Sequence, residues 1–133
     1  GVDIGADGKA HYRLFETDPS GTLLEYMATG IGIGRQAVMK LFEEEYKEGL
    51  SAEEAVLLGL KALYTATEGK FDMNTVEIGV AGEYSKKRAV KKVVESPTGS
   101  TTQILTFRKL TADEVKSAVT KFSKTVKSDE KAE

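Results

Sequence analysis

The sequence predicts an α+β domain in which an antiparallel sheet packs against helices. Three observations carry that prediction. Strand-like runs come in pairs around turn signals, two helical repeats follow one another directly, and a capping box opens a last helix behind the second pair of runs.

Tyr12 to Glu16 and Leu23 to Thr29 are rich in aromatic, aliphatic and β-branched residues, and Asp18-Pro19-Ser20-Gly21 stands between them. Asp favours the first position of a turn, proline presets φ for the second and Gly suits the last, so the segment is expected to be a hairpin. Gly30-Ile31-Gly32-Ile33-Gly34 then leads into a helix expected over Arg35 to Glu48. Val38, Leu41, Phe42 and Tyr46 recur there at helical spacing, and Gly49 is placed to end it. Ser51-Ala52-Glu53-Glu54 is a capping box opening a second helix to about Thr67. That helix is apolar almost all round, with Lys61 alone charged beyond its first turn, so burial on several sides is expected. The short connection makes the two helices antiparallel neighbours.

Val76, Ile78 and Val80 alternate with Glu77, Gly79 and Ala81, which predicts a strand, and a further strand is expected over Gln103 to Arg108. The excursion between them, Gly82 to Thr102, carries Lys86-Lys87-Arg88, Lys91-Lys92 and a turn signal at Ser96-Pro97-Thr98-Gly99; a long hairpin or loop is expected. Thr111 to Glu114 is the second capping box, with Val115, Ala118, Val119 and Phe122 on one face of the helix behind it. Residues 124–133 are expected to be a charged flexible tail beyond a single domain over 1–123.

Composition narrows the function classes. A chain of 133 residues, 40% hydrophobic and 30% charged, is that of one globular domain. A net charge of −2 gives no general pull toward nucleic acid or anionic membrane, and neither is expected as a partner. Without cysteine there is no disulfide or thiolate metal site, and His11 as sole histidine excludes any site needing two imidazoles from one chain. No apolar run approaches the roughly 20 residues of a membrane span, and a cytoplasmic location is the expectation. The chain opens Gly1-Val2-Asp3-Ile4-Gly5 without a methionine, as if cut from something longer, though processing or truncation by design gives the same start.

Candidate constellations are few. Gly30, Gly32 and Gly34 give G-x-G-x-G, where a dinucleotide fingerprint needs G-x-G-x-x-G; close strand-to-helix packing with a sharp entry, or an anion at the helix start, are the readings left. His11 assembles into no Ser-His-Asp set by spacing and is expected on a surface loop. Consecutive Glu43, Glu44 and Glu45 spread around a helix instead of converging, and Lys61 is expected to reach an edge of its apolar helix. Lys86 to Lys92 is either a solvated loop or a contact for an acidic partner. No catalytic, cofactor-binding or metal site is predicted, and no cofactor.

Several motifs together resemble one family. Leu14-Phe15-Glu16-Thr17-Asp18-Pro19-Ser20-Gly21 resembles the D-P-S-G signature of proteasome subunits. Ala28-Thr29-Gly30-Ile31-Gly32-Ile33-Gly34-Arg35 is similar to the A-x-A-I-G-x-G-R segment of α-type subunits, with Gly30 in place of the usual Ala or hydrophobic residue. Leu50-Ser51-Ala52-Glu53-Glu54-Ala55 resembles the family's L-S-x-x-E-A, Asn74 to Val80 its N-V-E-I-A-V strand, and Phe107 to Leu110 with Glu114-Val115 its closing F-R-K-L-S-x-E-E-V.

The resemblance implies part of the N-terminal-nucleophile hydrolase sandwich, two antiparallel sheets between helix layers. It also implies a non-catalytic subunit of the 20S α ring, contributing to ring assembly and to capping of the proteolytic chamber. In the intact subunit it implies gated substrate entry. Partners implied are other α subunits, β subunits and an activator or regulatory ATPase; the chain alone is expected to self-associate. The family's gating segment and first two helices have no counterpart here, nor do the threonine, acidic and lysine positions of catalytic relatives, so the chain matches the C-terminal part. Gly82 to Thr102 is longer than the family's usual link. Two other readings stand beside this one: a remnant of a threonine-peptidase β-type subunit, and a free-standing module gripping an acidic partner through Lys86 to Lys92.

Overall fold

The structure, a computed structural model, describes the backbone at residues 2–4, 6, 10–70, 72–85, 87, 88, 90–95, 101–105 and 107–132. Side chains are described at 6, 11–70, 72, 74–82, 84, 85, 87 and 107–127. Lys86 and the turn signal at 96–99 lie outside the described residues.

The chain opens on a strand pair that the sequence reading missed: β1 (Val2–Ile4) runs antiparallel to β2 (Ala10–Tyr12), placing Asp3 opposite His11. The expected hairpin follows as β3 (Leu14–Thr17) and β4 (Leu23–Tyr26), with Leu14 opposite Tyr26 and Thr17 opposite Leu23. Its turn forms for the reason read from the sequence. Asp18 accepts from the backbone N–H groups of Ser20 and Thr22 at 2.9 and 3.0 Å, and Gly21 takes φ +84°.

Three helices supply the core. Helix α1 (Arg35–Glu45) ends three residues before the expected Glu48, because Tyr46 turns extended at ψ 136°. Helix α2 (Ala52–Ala66) begins at the predicted capping box: Glu54 N–H donates to Ser51 Oγ, and the Glu54 carboxylate accepts from Ser51 N–H at 2.8 Å. A 3₁₀ turn (Met73–Thr75), capped by Asp72, takes the chain into β5 (Gly79–Ala81). Regular pairing thus starts later than the alternation suggests, although Val76 and Ile78 still pack on the core. The excursion is strand-rich: β6 (Glu83–Tyr84) pairs with β7 (Lys87–Arg88), and β8 (Val90–Glu95) with β9 (Thr101–Leu105). The single strand expected over Gln103 to Arg108 is divided. Its second half, β10 (Phe107–Lys109), pairs back with β5.

Helix α3 runs Ala112–Ala132, through the positions expected as a flexible tail, and Val126 continues its apolar stripe onto the core. One cluster joins Leu60 of α2 to Ala118, Val119 and Phe122 of α3, with Tyr64 meeting Phe122 edge-on at 5.7 Å between centroids. A second joins Val38 and Leu41 of α1 to Ala62 of α2. Helix α2 is therefore the middle of the three. Leu58, Ala62 and Ala66 face α1, and Leu57, Leu60 and Tyr64 face α3. The architecture is α+β with antiparallel pairs, as predicted.

Candidate functional site

The glycine run joins the first hairpin to α1, and geometry there decides between its two readings. A Cβ on Gly34 would lie 2.6 Å from Ala66 Cβ and 3.1 Å from Ala66 O, and one on Gly30 would lie 2.9 Å from Val38 Cγ1. Gly32 takes φ +106°, which only glycine adopts freely. The glycines admit close approach of α1 to α2, which is what the packing reading requires. Ile31 and Ile33, between them, are 86% and 109% exposed, so the loop turns its aliphatic side chains outward.

The same junction is tied by polar contacts that the sequence reading missed. Arg35 Nη2 donates to Glu16 Oε2 at 2.9 Å, Thr29 Oγ1 donates to the same oxygen at 3.0 Å, and the Arg35 guanidinium stands 6.0 Å from the Tyr26 ring centroid. The Arg35 hydrogen bond, then that from Thr29, holds the Glu16 carboxyl below its ordinary range. A hydrogen bond from Ser20 does the same for Asp18, so the signature turn is anionic and pre-formed.

A second polar centre sits where α2, α3, β10 and the β6–β7 turn meet. Glu114 accepts from Arg108 Nη1 and Nη2 at 2.9 and 3.2 Å and from Thr111 N–H at 2.9 Å, and Lys87 Nζ lies 3.4 Å away. Arg108 Nη2 also donates to the Tyr84 carbonyl at 3.2 Å, while Ser85 N–H donates to Glu53 Oε1 at 2.8 Å. Arg108, then Thr111, lowers the Glu114 carboxyl to about 2, and burial raises the Tyr84 phenol. This centre seats the base of the excursion on the starts of two helices.

The predicted candidates are placed as follows. Lys87 pairs with Glu114, so that member of the basic cluster is engaged within the chain; Arg88, Lys91 and Lys92 lie on β7 and β8 with side chains outside the described ones. His11 is exposed on β2, not on a loop. Glu43 and Glu44 are exposed, but Glu45 accepts from Lys61 Nζ at 2.6 Å, joining α1 to α2, so neither Glu45 nor Lys61 is merely solvated. Among the described residues no His, Asp and Glu groups gather as metal ligands. Nor, among them, is any helix long and apolar enough to cross a membrane.

The remaining face of α2 is open. Ala52, Ala55, Gly59 and Leu63 line a groove of about 490 Å³ whose other wall is Val76 to Ala81, and Leu63 is 44% exposed. Among the described residues, the burial on several sides read from the apolar sequence of α2 is realised toward α1 and α3, with Val76 and Ile78 packed against the α2–α3 cluster. More apolar surface lies on the hairpin, where Leu14, Leu23, Leu24 and Met27 are between 44% and 63% exposed. Surfaces of this kind mark contacts with other polypeptide.

Comparison with known proteins places the chain beside one family. The family profile described as "Proteasome subunit" matches residues 2–81. The chain is similar to the protein named proteasome subunit alpha of Methanosphaerula palustris, 75% identical over 75 residues, 56% of this chain and 30% of the relative. It is similar to those of Methanoregula boonei and Methanoculleus marisnigri at 55% and 51% identity over 117 residues, 88% of this chain and 40% of each relative. The chain therefore spans 30% to 40% of the length of these curated relatives.

Proposed function

From the premise that this chain belongs to the proteasome subunit family, we propose that it is the C-terminal part of an α-type subunit. Its role is structural: it helps to build the outer ring that caps a cytoplasmic proteolytic chamber, and it carries no peptide-bond chemistry of its own. The observation that carries this reading is the 55% identity to a protein named proteasome subunit alpha across 117 residues, which includes strands and helices alike. The geometry supports it in kind. Polar contacts here fix elements to one another, through Glu16–Arg35, Glu45–Lys61 and Arg108–Glu114, and large apolar side chains such as Leu14, Leu23 and Leu63 are left exposed.

In the assembled particle the partners are other α subunits, β subunits and an activator or regulatory ATPase, with gated entry belonging to the intact subunit. By itself the chain self-associates through exposed apolar surface, which includes Leu14, Leu23 and Leu24 of the β3–β4 hairpin. The test is a chimera in which this sequence replaces the corresponding part of the Methanosphaerula palustris subunit, co-expressed with a β subunit. Native mass spectrometry and negative-stain images should show closed rings stacked on β rings. A folded chimera that stays monomeric beside intact β subunits would refute the reading.

A further inference from the structure

The excursion from Gly82 to Thr102 carries five Lys and Arg against two Glu, a charge of +3, so the remainder of the chain carries −5 within its net −2. The family profile match ends at residue 81, one position before the excursion begins. Its base is fixed: Tyr84 is 6% exposed, Ser85 N–H donates to Glu53, and Lys87 pairs with Glu114. Beyond that base β8 and β9 pair with each other and, among the described residues, with no third strand, so each keeps an open edge. The two strands differ in charge. Strand β9, Thr-Thr-Gln-Ile-Leu, carries none, whereas β8 carries Lys91 and Lys92 ahead of Glu95. Val90 stands opposite Leu105 and Lys92 opposite Ile104, so a bulge at Lys91 sets two consecutive lysines against one position of β9.

An open strand edge accepts one more strand through main-chain hydrogen bonds, and charge along the edge decides which strands are admitted. We propose that the free edge of β8 takes an extended acidic segment of a partner polypeptide, with Arg88, Lys91 and Lys92 supplying the opposite charge. This contact goes beyond the α-type reading and does not depend on it. The acidity of the rest of the chain confines such a segment to the excursion. A second copy is disfavoured, because pairing β8 with β8 brings like charges together. Nucleic acid is disfavoured on two grounds. It has no peptide backbone to continue the ladder, and Tyr84, the sole aromatic of the excursion, is buried and offers no ring for a base to stack on.

The test is titration of the full chain against a labelled polyglutamate peptide, read by fluorescence anisotropy at low and high salt, with amide exchange on the complex. Polyglutamate should bind, and its affinity should fall at least about tenfold at high salt. Exchange over Val90 to Glu95 should slow while that over Thr101 to Leu105 stays unchanged. Lys91→Glu combined with Lys92→Glu should weaken binding at least about tenfold, with helix content unchanged. The charge-matched pair Lys40→Glu with Lys47→Glu, exposed on and just past α1, should change it by less than about twofold. The salt titration reads the same charge dependence on the unaltered chain, so a variant that fails to fold leaves the proposal testable. No binding, or equal weakening by the two pairs of substitutions, overturns it. Binding that leaves exchange over β8 at its original rate overturns it too. A thymidylate oligonucleotide that binds more tightly than polyglutamate overturns it in favour of nucleic acid. Slowing over Thr101 to Leu105 that grows with the concentration of this chain alone overturns it in favour of a second copy.

Discussion

Arg108 and Glu114 form a two-point ion pair, Nη1 to Oε2 at 2.9 Å and Nη2 to Oε1 at 3.2 Å, with side chains only 18% and 12% exposed. The pair fastens the last strand to the first turn of the last helix, and through Lys87 and the Tyr84 carbonyl it fastens the β6–β7 turn as well. Forked guanidinium–carboxylate geometry of this kind is directional, so Lys does not replace Arg108.

Acid should loosen this junction in a defined window. Glu114 titrates at about 2 in the folded chain against an ordinary 4.5. A carboxyl depressed on folding contributes its stability in full above the unfolded value and loses it as pH falls through the folded one. The urea midpoint of the chain should therefore drop between about pH 5 and about pH 2. Glu114→Gln should start lower and lose less over that span. Equal pH slopes in the two proteins would show that other depressed carboxyls, Glu16 and Asp18 among them, account for the acid sensitivity.

Two glycine substitutions should act in opposite directions. Gly34→Ala drives a methyl into Ala66, backbone included, and should cost about 1–3 kcal/mol of unfolding free energy. Gly59→Ala sits mid-helix with open space around its Cβ and should stabilise by about 0.5–1 kcal/mol. Thermal unfolding of both variants checks the pair. A neutral Gly34→Ala would mean that α1 and α2 do not approach as closely as described.

The core makes its own prediction. Phe122 is 6% exposed and meets both Leu60 and the edge of the Tyr64 ring. Phe122→Ala should cost about 3–5 kcal/mol. That loss is a large share of the roughly 5–15 kcal/mol holding a typical domain together. Chemical denaturation should show it as a shifted midpoint, or as loss of the cooperative transition.

Turnover is predicted to be absent. Nucleophilic catalysis needs a hydroxyl, thiol or amine activated by a base at an open site, whereas the described hydroxyls that reach a carboxylate, Ser20, Thr29, Ser51 and Thr111, are engaged in a turn, a strand–helix junction and two helix starts. Fluorogenic peptides should remain uncleaved by the purified chain. Stoichiometric labelling by a threonine-directed covalent inhibitor would contradict the structural role.

What the sequence disclosed was chiefly local. Asp18-Pro19-Ser20-Gly21 and Ser51 to Glu54 specify their turn and helix start through bonds spanning two to four positions, so spacing alone reveals them. The extension of α3 was not read, because the charged run over 124–133 masked Val126, which stands four residues past Phe122 on the stripe begun by Val115. Nor were Arg108–Glu114, Glu16–Arg35 and Glu45–Lys61. Those partners lie 6, 19 and 16 residues apart, and only the fold decides which charges meet. The division between β9 and β10 was hidden for a like reason: a continuous β-prone run gives no sign that its halves pair with different strands. As for the candidate site, an apolar helix announces that something covers it, yet periodicity cannot say from which side the cover is missing.

The pairing of β5 with β10 has a consequence for synthesis. Strand β5 leaves the ribosome on the order of 25 residues ahead of its partner, and at typical elongation rates that is about one to five seconds. Through that interval both edges of β5 are unpaired while α1 and α2, already complete, offer a half-built wall beside it. The β8–β9 hairpin lies wholly inside the waiting segment and, by folding on itself, draws the two ends of the loop together before β10 emerges. An excursion lengthened without such a self-closing hairpin would prolong the vulnerable interval, and nascent chains stalled between residues 82 and 107 should be the ones most readily captured by chaperones.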